Sequence, residues 1–326
     1  MIVTFTANPC IEHTLVVSQF EPNEVNRAVS HHRDPAGKGI NVSRALAQNN
    51  VETVAIFPSD AVNGPWIVRS LAVEHVETMT ISIRDDVRTN VTIVDQSGHT
   101  TKVNEAGPTI SASDQDAFAS TLESALALRP DWLVLAGSLP PGIDVDFYAH
   151  VGRMARDHGV RVALDSSGAG FAAAAHAGIA DFMKPNLDEL KELSGRLLPT
   201  IGDVVAFSRS LLRDEECSIV VTLGSQGALA VTTETHLWAV HEPVSVKSTV
   251  GAGDCTVAGY LSADIDCRRQ EIGGEEGLTV RLTTAVAWGS AAVQLPLATL
   301  PGPEDVTMHR VHVHARPDEA THIKDL

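Results

Sequence analysis

The sequence predicts an α/β fold in which a central, mostly parallel sheet carries helices on both faces and a small β-sheet lies over it as a lid. From residue 130 onward, short runs of Val, Ile and Leu alternate with helical patterns, which is typical of a parallel sheet covered on both faces. In the first third, several segments alternate polar with apolar residues, as strands with one face in water do. A chain of 326 residues can hold a large domain with a smaller one attached.

The first third contributes to both units. A buried strand is predicted at 2–6 and the first helix at 40–50. Alternating segments occupy 13–18, 26–32, 79–84, 89–95 and 100–105. We therefore assign 11–35 and 79–104 to a discontinuous lid, and 1–10, 36–78 and 105–326 to the α/β domain.

The later elements alternate as an α/β sheet requires. Ligands of such sheets gather at the carboxyl ends of the strands, so the site is expected there. "RVHVH" (310–314) alternates like an edge strand. Helices are predicted at 144–158, 187–194 and 203–213, and strands at 131–137, 160–165, 181–186, 218–224, 227–233 and 235–241.

Composition narrows the possible partners. The formal charge of −17 argues against a surface built for nucleic acid or for an anionic membrane. No segment reads as a signal peptide or a membrane span, and the four cysteines lack metal or disulfide spacing. We therefore expect a cytoplasmic protein, whose basic residues must be gathered locally if its ligand is an anion.

Three glycine-rich segments stand out. "AGKGIN" (36–41) lacks the Ser or Thr that follows the lysine of a P-loop, and it lacks the third glycine of a dinucleotide fingerprint. "GAGD" (251–254) fails the dinucleotide pattern too. "TLGSQG" (222–227) joins two apolar strands, so an ordinary hairpin turn is an alternative to a ligand loop.

"STVGAGDCTVAGYL" (248–261) places two glycines and an aspartate where a helix begins. Gly251 and Gly253 let backbone N–H groups approach a ligand closely, and a helix start there forms an anion hole. Asp254 is either the cap of this helix or a chemical group. On these residues alone, the cap is the stronger interpretation.

Eight segments in order resemble the PfkB sugar kinases of the ribokinase-like superfamily, in the branch of the 1-phosphofructokinases and tagatose-6-phosphate kinases. The resemblance covers roughly residues 1–300. It implies a ribokinase-like fold and a kinase that uses ATP. The segments are "TANPCIEHTL", "AGKGINVSRAL", "RTNVTIVD", "NEAGP", "AGSLPPG", "KPNLDEL", "TLGSQGAL" and "STVGAGDCTVAGYL".

The resemblance gives Asp254 the role of general base, which takes the proton from the attacking sugar hydroxyl. It makes the N–H groups of Gly251, Ala252, Gly253 and Asp254 the anion hole for the transferring phosphoryl group, where positioning and electrostatics do most of the catalysis. A nearly normal carboxylate pKa would serve such a base.

The resemblance also implies a magnesium and nucleotide region. Asn186 and Glu189 of "KPNLDEL" would organise Mg²⁺ through water, and the structural alternative is that Asn186 caps the helix that follows. Lys184 would face either the nucleotide or solvent. The residues expected near ATP are Lys184, Asn186, Thr222, Gly224, Gly227, Gly251 and Gly253.

For the sugar phosphate, the resemblance makes Lys38 and Arg88 ligands of the phosphate already present. Arg27 and Lys102 are weaker candidates, and both could equally be solvated lid charges. The residues expected to contact the sugar are Glu12, Gly37, Gly39, Asn41, Asn90, Ser138 and Asp254.

The sequence departs from the family at two places. Glu12 stands where an aspartate is usual, and Ala36 replaces the first of two glycines. Alanine is tolerable there only if the backbone does not need a positive φ. Both departures bear on which sugar binds.

The favoured activity is ATP-dependent phosphorylation of fructose 1-phosphate to fructose 1,6-bisphosphate. The alternatives are a tagatose-6-phosphate or fructose-6-phosphate kinase and, from a different class, a non-catalytic sensor of sugar phosphate or nucleotide on the same fold. The resemblance further implies a homodimer formed through the lid.

Overall fold

The computed structural model describes residues 1–97 and 99–325 and contains two separate sheets. The larger sheet has ten strands, and seven of them, at one side, run parallel. In spatial order they are β14 (Val311–Ala315), β13 (His236–His241), β12 (Ala228–Val231), β11 (Ser218–Thr222), β10 (Phe182–Met183), β9 (Arg161–Asp165), β8 (Trp132–Ala136), β1 (Ile2–Thr6), β4 (Thr53–Ser59) and β5 (Glu77–Ser82).

Helices cover both faces of this sheet. They are α1 (Lys38–Gln48), α2 (Gly64–Val73), α3 (Ala112–Leu126), α4 (Phe147–Asp157), α5 (Gly168–His176), α6 (Leu187–Ser194), α7 (Ile201–Leu211), α8 (Ala252–Arg269) and α9 (Gly274–Ala292).

Alternate strand residues supply the two cores between the sheet and its helices. Leu133 and Leu135 of β8 pack with α2 to α7, whereas Trp132 and Val134 pack with α1, α8 and α9 on the opposite face. A strand buried on both sides reads as a continuous apolar run, which explains the pattern seen in the sequence. The predicted fold class is confirmed.

The lid is a four-stranded sheet of β3 (Ala28–Ala36), β2 (Cys10–Val17), β6 (Arg88–Asp95) and β7 (Thr100–Val103), in that order. Glu12 of β2 lies directly opposite Asn90 of β6. Because side chains alternate along a strand, Cys10, Glu12, Arg88 and Asn90 share one face of the lid.

One predicted boundary of the lid is wrong. The segment at 79–84 was assigned to the lid, but β5 pairs in parallel with β4 at the edge of the large sheet. An edge strand there has one exposed face, so its alternation resembles that of a lid strand.

The antiparallel side of the large sheet ends in β14, which confirms the edge strand predicted from "RVHVH". His312 and His314 of β14 are exposed. None of the helices within the described ranges combines the length and the apolar character needed to cross a bilayer.

Candidate active site

The candidate site lies at the carboxyl ends of neighbouring parallel strands, where predicted residues and residues missed in the sequence come together. Asn8 follows β1, Asp165 ends β9, Lys184 follows β10 and Thr222 ends β11. The N-terminus of α8, with Asp254 in its first turn, faces the same region, because Gly253 lies against Lys184. Parallel α/β sheets bind their ligands at this edge.

Asp254 is buried, with 7% of its surface exposed, and it is not the cap of α8. Gly251 is the cap residue, with φ of 78°, and no side chain in the described chain caps this helix. The Asn41 amide nitrogen instead donates to Asp254 Oδ2 at 2.7 Å. The interpretation that favoured a cap is therefore wrong, and the carboxylate is oriented by α1.

Burial raises the pKa of Asp254, and the negative charge of Asp165 raises it further, to about 6. The hydrogen bond from Asn41 and the charges of Lys38 and Lys184 act in the opposite direction. The carboxylate is therefore less acidic than the nearly normal group expected from the sequence. It is still mainly ionised at pH 7 and is better matched to accepting a proton near that pH.

A cluster of buried charges lies beside Asp254. Lys38 Nζ is 2.9 Å from Asp165 Oδ1 and 3.5 Å from Glu189 Oε1, and Lys184 Nζ is 3.4 Å from Asp165 Oδ1. Burial opposes the ionised form of Asp165, but Lys184 and Lys38 keep the pKa of its carboxyl below the ordinary value. Two ammonium groups are thus held close to the general-base candidate.

The first turn of α8 presents backbone N–H groups next to these lysines. A Cβ at Gly253 would lie 3.2 Å from Lys184 Nζ, so glycine permits the lysine to pack against the turn. The unpaired N–H groups of a helix start, together with a lysine, form a binding site for an anion. This arrangement fits the predicted anion hole at Gly251, Ala252 and Gly253.

A cavity of about 780 Å³ adjoins the anion hole and has the size of a ligand pocket. Its lining includes Ala252 and Gly253 on one side and Thr222, Gly224 and Gly227 on another. The predicted hairpin is present, because β11 and β12 are antiparallel across this turn. The segment at 222–227 can therefore be a hairpin turn and also contact a ligand. The cavity is closed by residues 240–246 and by α9, through Val286, Gly289 and Val293.

Oxygen ligands suitable for a magnesium ion lie between the cavity and the lysines. Asn186 and Glu189 form a reciprocal capping box at the start of α6, so the structural alternative for this pair is confirmed. Glu189 Oε1 points instead to Lys38, and Asp165 Oδ2 is buried without a partner among the described residues. Within residues 1–97 and 99–325, no cluster of three protein ligands suits a metal. Two carboxylates fit a hydrated Mg²⁺ that completes its shell with water and phosphate.

The lid supplies a second polar wall. Thr92 Oγ1 donates to the Glu12 carboxylate, and the Asn90 amide donates to Cys10 Sγ at 3.3 Å. Burial raises the pKa of the Cys10 thiol to about 12, against the effect of Arg88, so this group stays neutral. Arg88 donates to the carbonyl oxygens of Glu105 and Asn8.

Five buried polar atoms of the site have no hydrogen-bond partner in the part of the chain that the structure describes. They are Asn8 Oδ1, Asn41 Oδ1, Asn90 Oδ1, Asp165 Oδ2 and Arg88 Nε. Buried polar atoms are nearly always paired, so their concentration here is typical of a site that binds a polar ligand. Three amide oxygens need hydroxyl or N–H donors, and the guanidinium nitrogen needs an acceptor such as phosphate.

Comparison with known proteins identifies the family of this chain. Residues 6–305 match the family described as pfkB family carbohydrate kinase. The chain belongs to the pfkB family of carbohydrate kinases. Membership of this family makes the protein an enzyme. The family resemblance predicted from the eight segments is confirmed.

Relatives of this carbohydrate kinase include a 1-phosphofructokinase of Rhodobacter capsulatus, 34% identical over 93% of both chains. A tagatose-6-phosphate kinase of Staphylococcus epidermidis is 32% identical over 83% of this chain and 87% of its own. The structure of Escherichia coli phosphofructokinase-2 in complex with fructose-6-phosphate superimposes with a TM-score of 0.82, at 29% identity over 93% of this chain and 96% of that one. The E. coli protein has also been solved in a tetrameric inhibited form.

Several predicted residues of the kinase have a structural reason for their identity. Gly37 has φ of 134°, and a Cβ on Gly39 would lie 2.6 Å from Thr6 Oγ1. Ala36 ends β3 with a negative φ, so alanine is accommodated there. Ser138 is half-buried just after β8.

Other predicted residues occupy places that differ from the expectation. Among the described residues, Lys38 and Arg88 share no polar partner, and Lys38 lies with the carboxylates near Asp254. Lys184 is buried, so of the two predicted surroundings, nucleotide or solvent, the structure excludes solvent. Arg27 and Lys102 are exposed on the lid, and the contacts described for the chain do not join them to the site.

Three residues of the site were missed in the sequence. Asp165 ends the strand predicted at 160–165, so its position after an apolar run was a usable signal. Asn8 lies in the segment "TANPCIEHTL", and Thr92 lies two residues after Asn90 on the same face of the lid. The pairing of Thr92 with Glu12 depends on strand register, which the sequence did not reveal.

Proposed function

We propose that this kinase transfers the γ-phosphoryl group of ATP to a ketohexose phosphate to form a bisphosphate, with fructose 1-phosphate as the favoured substrate. One observation carries the proposal: Asp254, in the first turn of α8 beside the cavity, also adjoins buried polar atoms of the large domain and the lid that have no partner among the described residues. Amide oxygens that need donors suit sugar hydroxyls, and Arg88 Nε suits a phosphate. A phosphorylated sugar supplies both the hydroxyl donors and the phosphate acceptor.

Asp254 takes the proton of the sugar hydroxyl as that oxygen attacks the γ-phosphorus and the bond to the β-phosphate oxygen breaks. Asn41 fixes the orientation of the carboxylate. The N–H groups of Gly251, Ala252 and Gly253 receive the charge of the transferring group. Catalysis of phosphoryl transfer depends mainly on alignment and charge stabilisation. The groups that provide both are already in position before the reaction begins.

Lys38 serves the transferring phosphoryl group in this proposal, rather than the phosphate already on the sugar. Its ammonium group lies with Asp165 and Glu189, beside the charge cluster that includes Lys184. Arg88 is left as the ligand of the sugar's own phosphate. Its bonds to two backbone carbonyl oxygens can be exchanged for bonds to a phosphate, which accepts more strongly.

Asp165 and Glu189 would hold Mg²⁺ through water, with Asn186 at the edge of the same region. When bound, the ion neutralises phosphate charge and orients the β- and γ-phosphates. Lys38 and Lys184 keep Asp165 ionised and therefore ready to accept hydrogen bonds from metal-bound water.

The choice of fructose 1-phosphate rests on the R. capsulatus 1-phosphofructokinase, which matches the present chain over nearly its whole length. Tagatose 6-phosphate and fructose 6-phosphate remain alternatives, because relatives that act on or bind them are almost as similar. Glu12, whose carboxylate Thr92 holds, is the lid residue that departs from the family pattern and is expected to influence the choice.

An ADP-release assay with the three sugar phosphates, and with fructose as the unphosphorylated control, tests this specificity. We expect kcat/KM for fructose 1-phosphate to exceed both other values, and fructose to be at least ~100-fold poorer because it offers Arg88 no phosphate. If fructose 1-phosphate is the poorest of the three, the specificity is wrong. Binding of sugar phosphate and ATP without release of ADP would favour the non-catalytic sensor.

We also propose a homodimer formed through the outer face of the lid. The face opposite Glu12 carries Leu15, Val91, Ile93 and Val103, and Val103 is 58% exposed. Burying these apolar side chains stabilises association. A cytoplasmic location is proposed because ATP is supplied there and because the four cysteines are unbridged.

A further inference from the structure

The segment after residue 305 lies beyond the family match and wraps around the nucleotide cavity. It adds β14 to β13 and then returns along the N-terminus of α7. Ile201 N donates to Thr321 O at 3.0 Å, and Ile323 N donates to Pro199 O at 2.9 Å. Ile323 itself is buried in the core. We call residues 306–323 the C-terminal clasp.

The clasp holds Gln226, which lies in the turn between the two glycines of the nucleotide loop. The Gln226 side-chain amide donates to Ile323 O. The Gln226 carbonyl oxygen accepts a hydrogen bond of 2.7 Å from Trp238 Nε1. His314 of β14 stacks on Trp238 with ring centroids 4.6 Å apart. Both ends of Gln226 are thus fixed, directly or through Trp238, by the clasp.

The C-terminal clasp also contacts the opposite wall of the cavity. His312 lines the cavity, and its Nε2 lies 3.6 Å from Glu242 Oε1. Thr307 Oγ1 is 2.9 Å from His241 Nε2. Glu242 and His241 both belong to the cavity lining. The clasp therefore contacts two walls that are separated in the sequence.

The base of the nucleotide loop is held by the hydrogen bond from Leu223 N to Gly227 O at 2.8 Å, whereas its tip has little side-chain packing. Gly224 and Gly227 have φ of 64° and 83°, and Gly224 and Ser225 are exposed. Glycine offers no side chain to pack, and it gains the most conformational freedom when a turn loosens. Contacts that Gln226 makes outside the loop therefore add to the hydrogen bonds that position its tip.

We propose that the C-terminal clasp is a positioning element for the nucleotide, acting through Gln226 on the loop at 224–227. This inference rests on the proposed placement of ATP in the cavity. Coupling between two sites is reciprocal: if the clasp favours nucleotide binding, bound nucleotide must stabilise the clasp by the same factor. Typical coupling corresponds to about 5- to 150-fold in affinity.

The first test replaces Gln226 by Met, which keeps the length of the side chain and removes the amide. Gln115→Met is the matched control, because the Gln115 amide also donates to a backbone carbonyl, that of Gly142, remote from the cavity. We expect Gln226→Met to raise KM for ATP at least fivefold, with kcat and KM for the sugar phosphate within twofold of wild type. Gln115→Met leaves all three unchanged. Equal KM values for ATP in the two variants would overturn the proposal.

The second test needs no variant and does not depend on turnover. Hydrogen exchange of the whole protein is followed with a non-hydrolysable ATP analogue and Mg²⁺, with sugar phosphate alone, and without ligand. The analogue should slow exchange at 224–227 and also at 319–323, whereas sugar phosphate alone should slow neither. Protection of 224–227 without 319–323 would overturn the clasp and leave the ATP site intact. Protection of neither segment would overturn the placement of ATP.

Discussion

Asp254 combines burial with a neighbouring negative charge, and both raise its pKa. A protein that uses this group only as structure would gain by pairing it fully, but Asn41 provides a single hydrogen bond. The site thus keeps a carboxylate that is costly to ionise and correspondingly able to accept a proton. Such a group is expected where a hydroxyl must lose its proton.

The raised pKa of Asp254 predicts the pH dependence of the reaction. We expect kcat/KM to fall on the acid side with an apparent pKa of about 6, because protonated Asp254 cannot accept the hydroxyl proton. A steady-state pH series at saturating Mg²⁺ and ATP measures this limb. A rate that stays level down to pH 5 contradicts the assignment.

Unfolding caused by Asp254 does not explain such an acid limb. A carboxyl whose pKa is raised on folding stabilises the folded state fully below the unfolded value near 3.8, and this contribution is lost as the pH rises through about 6. Acidification through 6 therefore favours folding at this residue. Circular dichroism at pH 5.5 is the control, and it should show an unchanged spectrum.

At the scale of elements, α8 carries the groups proposed to hold the phosphoryl group and to take the proton. Its first turn carries Gly253 against Lys184 and places Asp254 over Asn41. The same helix packs closely on α9, which closes the nucleotide cavity. A displacement of this one helix would therefore disturb the base, the anion hole and the cavity together.

Gly253→Ala tests the anion hole. The added Cβ would meet Lys184 Nζ at 3.2 Å and obstruct the approach of a phosphoryl group, so we expect kcat to fall by about 100-fold. Alanine is a better helix former than glycine, so the melting temperature should not fall. Gly273→Ala is the control, because its Cβ would point into open space. Equal kcat values for the two variants would show that the turn does not hold the phosphoryl group.

The sequence specified most elements because parallel strands buried on two faces give continuous apolar runs, such as those of β8 and β9. It failed at β5, where an edge position produces the same alternation as the lid. It also missed the relation of Lys38 to Asp165, since 127 residues separate two side chains that only the sheet order brings together. The hydrogen bond from the Gln226 side-chain amide to Ile323 O was also not predictable from the sequence, because the two residues are far apart in it.

At the scale of the whole molecule, the charge is strongly acidic, yet the site gathers Lys38, Lys184 and Arg88. An acidic surface with a local basic cluster suits a small anionic substrate rather than a polyanion. One face of the lid carries Glu12, Arg88 and Asn90, and the opposite face carries Leu15, Val91 and Ile93. This division suggests that one sheet serves both the substrate and a second subunit.

Ile93→Glu tests the proposed dimer. A charge at the centre of the outer lid face should convert a dimer into a monomer, because burying an unpaired carboxylate opposes association. Leu197→Glu is the control, since Leu197 is 83% exposed on the large domain. Light scattering during size-exclusion chromatography measures both masses. A wild-type monomer, or an Ile93→Glu dimer, would refute an interface on this face.

The most direct test of the account measures turnover and binding of the Asp254→Asn variant together. The amide keeps the shape of the side chain but cannot accept the hydroxyl proton, so kcat should fall by at least ~100-fold, within the usual contribution of a general base. The Kd for the sugar phosphate, measured by calorimetry, should stay within a few-fold of wild type. Wild-type turnover in Asp254→Asn would contradict the claim that Asp254 is the base.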